Sequence, residues 1–591
     1  MLKYISIILS DEDRTENHNM KKFLCILLTV TMLLAACATL TSCGEPKDAG
    51  AEISVYLGNS VYDFDPTDYY EDPNADQIMS LLFEPLFALD EKGNLEYAAA
   101  KSYKIDKEDN TIVIQLRQTY WSDEIRVKAE DYVYAWRNVV LEPNNPNPAA
   151  ALLYDIDKAL EIKSGSASIY EFGAVATDTY EITIQCREGA DPMQLLKNLA
   201  SVTMSPLRED VVSAAKTYWS KTLNNIVTNG PFKIASIDYA TGEFTLARNL
   251  GYHQPSSVKN YTKNVIPALL INFVDADGEG VDLTYADIES KTVFYLADTS
   301  LEDRAENKSA AKSANDLSVY TYVFNTEHPL FANADVRRAL SLALDREAMA
   351  QAVVFGTAAN GFLPGNSTDR LSTGKNIAEA KKVLERANLS GISKSFTLTV
   401  NNDEASIAMA KLAEAAWEEL GFKVSVKTVS TTKTLINDKT TASELTITDS
   451  TLQTIIKEAS YGNRDFHVLG MNWQLYSSDA FVPLCSFTSH MNGNGVDYNT
   501  GRTRLNISGW WDSGYDNYLN EAYTATNDED REAALAAAEE LMLGSAPIAP
   551  VVFNTSFAFV SSDLSGITVD GFGNFVLTKA SLKNYEKYLD N

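Results

Sequence analysis

The stretch T-I-V-I-Q-L-R-Q-T-Y-W-S-D-E-I-R-V-K-A-E-D-Y-V-Y-A-W, Thr111 to Trp136, sets the fold class of this chain. From Thr111 to Arg117 apolar and polar residues alternate with period two, the pattern of a half-buried strand. From Glu130 to Val140 apolar and aromatic residues recur at helical spacing, and Pro143 in an Asn/Pro-rich turn ends the run. A strand that hands over to a helix is the unit of α/β proteins. The alternation continues downstream. Asp335 to Val354 reads as one long amphipathic helix with Gly356 just beyond it. Ala408 to Glu419 reads as another, ended by Gly421, and Phe422 to Val426 begins the next strand. Asn527 reads as the N-cap of an Ala/Glu-rich helix that runs to about Leu543 and stops at Gly544. The polar stretch from Ser300 to Asp316 is either a crossing between lobes or an exposed helix. No repeat of fixed period is visible. No Pro/Gly-rich linker divides the chain, so its domains are expected to interleave.

The 591 residues allow several domains, and 45% hydrophobic content is ample for their cores. A formal charge of −30 excludes nucleic acid as a partner, since phosphate binding needs clustered Lys and Arg. The N-terminal region carries a different message. Met20-Lys21-Lys22, an apolar run from Phe23 to Leu40, then Leu40-Thr41-Ser42-Cys43-Gly44 read as a secretion signal that ends in a lipobox. Acyl chains on Cys43 would tether a soluble body to a membrane without a spanning helix. Leu34-Ala35-Ala36-Cys37 is the alternative, but Gly44-Glu45-Pro46 opens a polar linker, whereas Ala38-Thr39-Leu40 is apolar. The run is also about long enough to span a bilayer uncleaved. Either way the body is expected outside the cytoplasm, on a membrane. Residues 1–19, with Asp11-Glu12-Asp13, are read as a leader or as upstream of the true start at Met20. Beyond the lipobox only Cys186 and Cys485 remain, either paired or as buried free thiols.

The elements, in their order, resemble the family 5 extracellular solute-binding proteins, the oligopeptide, dipeptide and nickel receptors of ABC importers. The resemblance starts at Asp65-Pro66 and Leu82-Phe83-Glu84-Pro85-Leu86. Its strongest block is the opening stretch, with Ile112 to Arg117, Trp121-Ser122-Asp123 and Lys128 to Trp136, although Glu124 stands where the family usually has glycine. Asn225 to Lys233, Phe324-Asn325-Thr326, Asp335 to Leu340, Leu344 to Glu347, Trp417 to Val424 and Ala546 to Val551 follow in register. The resemblance implies an α/β, two-lobed periplasmic-binding-protein-like (type II) fold with an extra subdomain inserted in the first lobe. The expected division is leader 1–19, signal 20–42, linker 43–50, lobe I 51–94, inserted subdomain 95–225, lobe I 226–315, lobe II 316–552 and lobe I 553–591. It also implies a receptor that captures peptides between the lobes and delivers them to ABC transporter permeases, as a monomer held to the membrane by its lipid. The alternatives are a non-peptide solute, such as an oligosaccharide or chelated metal, or a signal-peptide sensor that feeds no transporter.

In peptide receptors the cleft segment resembles Gly-Trp-x-Ala-Asp-Tyr, whose Asp pairs with the peptide's amine. This chain has Asn472-Trp473-Gln474-Leu475-Tyr476-Ser477, which keeps the tryptophan and puts Tyr476 in the aspartate's place. The resemblance thus makes Trp473, Gln474 and Tyr476 candidate ligand contacts. Asp479 can substitute as the amine partner only if the loop is reshaped. The position that is often Arg in oligopeptide receptors matches Gly470. Tyr285 is a candidate wall residue, and Glu71 and Asp72 are candidate cation partners from the first lobe. Losing the charged anchor shifts the expected ligand, because a buried ammonium without a carboxylate is badly desolvated. Amine-blocked or longer peptides and neutral solutes become serious options.

Enzymatic readings are weak. Ser256-Ser257-Val258-Lys259 and Ser430-Thr431-Thr432-Lys433 match an S-x-x-K acylation motif but lack a K-T-G partner. Asp275-Ala276-Asp277-Gly278-Glu279-Gly280 is similar to the start of an EF-hand loop, but its twelfth position is Ala286. Past the signal the histidines are His253, His328, His467 and His490, without metal-ligand spacing. No enzyme activity, cofactor or metal is expected.

Overall fold

In the computed structural model the described residues are 52–57, 63–67, 75–215, 219–220, 223, 225–238, 243–253, 263–267, 283–365, 369–429, 435–436, 446–447, 452–584 and 587. The signal with Cys37 and Cys43, the Glu71–Asp72 pair, both S-x-x-K matches and the EF-hand-like loop lie outside them.

The opening stretch folds as its pattern predicts. Thr111–Leu116 is a strand whose Ile112 and Ile114 are fully buried. It lies between Ala100–Asp106 and Glu181–Gln185, and Ala174–Asp178 completes a four-stranded antiparallel sheet. Helix Ala129–Tyr134 follows and widens into a π-type turn over Ala135–Val140. Asp131 fixes its entry by accepting from the Lys128 backbone N–H at 2.9 Å and the Trp121 indole at 3.0 Å. Glu124, in the tight turn before it, has φ +68°, the left-handed region where glycine is at ease.

A second, eleven-stranded sheet organises the rest. Its order runs Lys423–Val429, Ser395–Asn401, Val468–Gln474, Lys312–Phe324, Ile548–Val560, Tyr295–Leu296, Glu52–Tyr56, Lys263–Pro267, Glu243–Arg248, Phe232–Asp238, with Gly356–Ala358 also paired to Ile548–Val560. Ser395–Asn401 and Lys423–Val429 are parallel, which requires a crossover, and helix Glu404–Glu419 supplies it. At the centre stand two antiparallel strands of 13 residues each, Lys312–Phe324 and Ile548–Val560. One end of the pair meets Tyr295–Leu296, and the other meets Val468–Gln474. Their register shifts between Asn315 and Val319. The two strands therefore carry both halves of the sheet.

One core packs around Trp417, which is fully buried against Tyr322 and Phe396 and donates its indole N–H to the Leu340 carbonyl. A larger core spans the four-stranded sheet, helix Ala75–Leu82 and the segments around Trp473 and Tyr515. Burying each such aromatic or aliphatic side chain contributes about 1.5–3 kcal/mol.

Two expected elements are corrected, and a third is resolved between its alternatives. The long helix from Asp335 to Val354 is two, Ala334–Ala343 and Arg346–Ala352. Asp345 breaks it by capping the second, its carboxylate accepting from the Ala348 N–H. Val354 lies beyond the second helix with φ +69°. The helix after Asn527 runs through Gly544 to Ser545, and Ala546 ends it in the left-handed conformation at φ +50°. The polar stretch after Ser300 is a short helix, Leu301–Glu306, followed from Lys312 by the first of the two central strands. Cys186 and Cys485 are both free and buried. Among the described residues no helix is long and apolar enough to cross a membrane.

Candidate functional site

Strand Val468–Gln474 ends where the two halves of the sheet meet, and the chain turns sharply there. The Leu475 N–H bonds the Leu317 carbonyl of the neighbouring central strand, and the Ser477 N–H bonds back to the Leu475 carbonyl at 2.8 Å. That closes a three-residue turn with Tyr476 at its apex, φ +61°. Such turns are rare and strained for a residue with a side chain.

The turn stands between two cavities. A cavity of about 850 Å³ is lined by Asp76 and Ser80 of helix Ala75–Leu82, by Gln474 and Tyr476, and by Lys312 and Asp570 among others. A small pocket of about 50 Å³ lies on the other side, lined by Met471, Trp473, Asn492, Asn494, Gln474 and Tyr476. Gln474 and Tyr476 thus wall both. Across the larger cavity the Gln474 Nε2 comes within 3.5 Å of an Asp76 carboxylate oxygen. The strip leading to the turn is uncharged. Asn472 accepts from the Asn554 amide at 2.9 Å, and Gly470 faces Tyr320, whose hydroxyl occupies the place where a Cβ would stand. An arginine at this position therefore has no room.

The candidate residues separate into groups. Trp473, Gln474 and Tyr476 come together at the cavities. Trp473 is buried, stacked on Phe487 at 4.8 Å and meeting Phe362 edge-on, so it shapes the small pocket from within the core. Asp479 is held bidentately by Arg531 at 2.9 and 2.7 Å, beside a second half-buried pair, Asp155 with Arg187 at 2.6 Å. Its carboxylate is committed to that network, and it lines neither cavity. Tyr285 opens helix Tyr285–Ser290 and packs on Phe559 at 5.1 Å in a separate small cluster, away from both cavities.

Four groups near the site were not picked out by sequence. Asp76 sits in the first turn of its helix, a place where acids are common and carry no functional signal. Asp316 lies at the register shift of the central strands, with its carboxylate accepting from the Ser318 hydroxyl at 2.6 Å. Burial pushes its carboxyl up to about 6, against that hydrogen bond, and the Asp76 charge acts in the same direction as burial. Asp570 is likewise pushed up to about 6 by burial, although it accepts from the Asn574 and Phe572 backbone. Asn198, at the end of helix Pro192–Asn198, accepts a hydrogen bond from the Ser477 hydroxyl at 2.8 Å. Among the described residues no cluster of three or more His, Cys, Asp or Glu is placed to hold a metal.

The body is mixed α/β, with its larger sheet built on a pair of long shared strands and a cavity beside the end of strand Val468–Gln474. The chain belongs to the bacterial extracellular solute-binding proteins, family 5, whose model matches residues 94–495. It is 24% identical to the oligopeptide-binding protein OppA of Bacillus subtilis, over 94% of this chain and 98% of that one. Among solved structures it is similar to Haemophilus influenzae OppA in complex with the peptide RPPGFSPFR, at 22% identity and TM-score 0.72, covering 90% of this chain and 99% of that one. It is equally similar to the murein tripeptide binding protein MppA of Escherichia coli, at 22% identity and TM-score 0.73, over 90% and 98% of the two chains.

Proposed function

We propose that this chain captures peptides in the cavity walled by Gln474 and Tyr476 and delivers them to the permeases of an ABC importer. The observation that carries the reading is that cavity's wall, where Gln474 of the larger sheet approaches Asp76 of helix Ala75–Leu82, in a chain of family 5. Relatives named for oligopeptide and dipeptide binding support it. Closure around a ligand then requires the ligand to favour the closed arrangement over the open one. The uncharged strip from Gly470 to Tyr476 supports main-chain recognition without an amine clamp at residue 476, a mode that tolerates varied side chains. Amine-blocked peptides are therefore substrates alongside free ones, with neutral solutes as the second reading.

A thermal-shift screen of the chain from Glu45 onward, against free peptides, amine-blocked peptides and oligosaccharides, tests this. A ligand at a hundredfold its Kd stabilises by about 2.7 kcal/mol. Response to free peptides alone would mean that an amine anchor exists and that Tyr476 has been misread. Response to oligosaccharides alone would remove peptides as the substrate.

Lipid attachment at Cys43 is the proposed means of membrane anchoring, with the division into lobes and insert as given above. Cys43→Ala is expected to move the protein from the membrane fraction to the soluble one. Unchanged fractionation would point to Cys37 or to an uncleaved helix.

A further inference from the structure

The strained turn at Tyr476 is held by a buried contact from a part of the chain 279 residues away. The Ser477 hydroxyl donates to Asn198 Oδ1, and the Gln194 amide donates to the same oxygen at 3.0 Å. Ser477 in turn accepts from the Asp479 N–H at 3.1 Å. Asn198 is 3% exposed and Ser477 is 5% exposed, so neither group has water to fall back on. Helix Pro192–Asn198 belongs to the region that includes the four-stranded sheet, whereas Ser477 follows a strand of the larger sheet.

We propose that Asn198 is a positioning residue for ligand recognition: by taking the Ser477 hydroxyl bond it holds the turn that sets the Tyr476 ring between the two cavities. This rests on the reading of Tyr476 as a ligand wall. Its consequence is that a residue outside both cavities sets their shared wall. Without the Asn198 acceptor the buried Ser477 hydroxyl proton has no partner and the tight turn loses the contact that opposes its strain.

The test is a double-mutant cycle on the mature chain, with N-acetylated and free pentapeptide pools as probes. Calorimetric titration gives affinity, and small-angle scattering gives the change in radius of gyration on ligand addition. Tyr476→Ala and Asn198→Leu are each expected to weaken binding about tenfold or more, and the double variant no further than the worse single one, because they act on the same contact. Ser477→Ala is expected to match Asn198→Leu, whereas Ser477→Thr keeps the hydroxyl donor and restores affinity. Additive losses, or wild-type affinity in Asn198→Leu, would overturn the proposal. If Asn198→Leu does not fold, the Ser477→Ala and Ser477→Thr pair decides by the same criteria. If Tyr476→Ala binds both pools as wild type does, the assignment of the ligand wall fails, and the proposal fails with it. If Tyr476→Ala weakens binding and Asn198→Leu does not, the wall stands and only the positioning role falls.

Discussion

At the scale of single residues, Glu124 and Tyr476 contrast among the side chains held in backbone conformations that suit glycine. Glu124 has φ +68° in the turn between strand and helix. Its carboxylate has no role in the geometry of that turn, which rests on backbone bonds such as Glu124 N–H to the Trp121 carbonyl at 2.9 Å. Glu124→Gly is expected to stabilise the protein by about 1 kcal/mol, read as a higher urea midpoint, because the left-handed region costs a side-chain-bearing residue about that much. A lower midpoint would show that the glutamate compensates elsewhere. Tyr476, at φ +61°, is the opposite case. There Tyr476→Gly is expected to change stability by less than about 1 kcal/mol, with strain relief offsetting lost packing, while peptide affinity falls tenfold or more. Glu124 lines neither cavity, whereas Tyr476 lines both. Sequence could locate both positions, since each departs from a family pattern. It could not distinguish them, because whether such a turn lines a cavity is set by groups distant in sequence.

At the scale of elements, periodicity was a good guide to existence and a poor one to boundaries. Thr111–Leu116 and helix Glu404–Glu419 fall close to where the patterns place them. The helix expected from Asp335 to Val354 does not survive, because apolar spacing continues across Asp345 and hides the break. What creates the break is tertiary. Arg346 is 2% exposed, and its guanidinium donates to the carbonyls of Pro550, Ser341 and Ser372 and to the Ser341 hydroxyl. A cation buried this way depends on carbonyl oxygens from segments distant in sequence, which no local window contains. Burial alone holds its pKa down to about 10. With the helix interrupted, Asp345 serves as an N-cap, and Asp345→Ala is expected to cost about 1 kcal/mol in chemical denaturation. A neutral result would mean that the Ala348 N–H finds another acceptor.

At the scale of the whole molecule, the two central strands concentrate unusual electrostatics near the cavity. Hairpin Thr568–Val576 lies across them, with Gly573 against the backbone of Asn315 and Asp316, and this close approach helps bury the Asp316 carboxyl. Asp316 and Asp570 both hold protons up to about pH 6 in the folded chain. The unfolded chain releases them near about pH 4. Between those values the folded state binds more protons, so stability falls as pH rises. The contribution is full below about pH 4 and is lost as pH passes through 6. Asp316→Asn is therefore expected to flatten the slope of Tm between pH 4.5 and 7, read by scanning calorimetry at about half-unit steps. An unchanged slope would place the titration elsewhere. Of this scale, sequence revealed the family and the presence of a cleft, carried by blocks such as Trp417 to Val424. It did not reveal which strands are neighbours, since Lys312–Phe324 pairs with a partner more than two hundred residues away. Nor did it reveal the acids that gather where those strands meet.

The position of Ile548–Val560 has one more consequence. This strand fills the middle of the eleven-stranded sheet, yet it follows its neighbour Lys312–Phe324 by more than two hundred residues. Until it is delivered, Lys312–Phe324, Gly356–Ala358 and Tyr295–Leu296 lack their shared neighbour, and the sheet has an open seam at its centre. Closing the sheet thus waits on a strand more than two hundred residues downstream of its partner, a separation that slows folding. The seam between Lys312–Phe324 and Ile548–Val560 is thus among the slowest contacts of the sheet to form, and its two strands are among the last to lose their need of a partner.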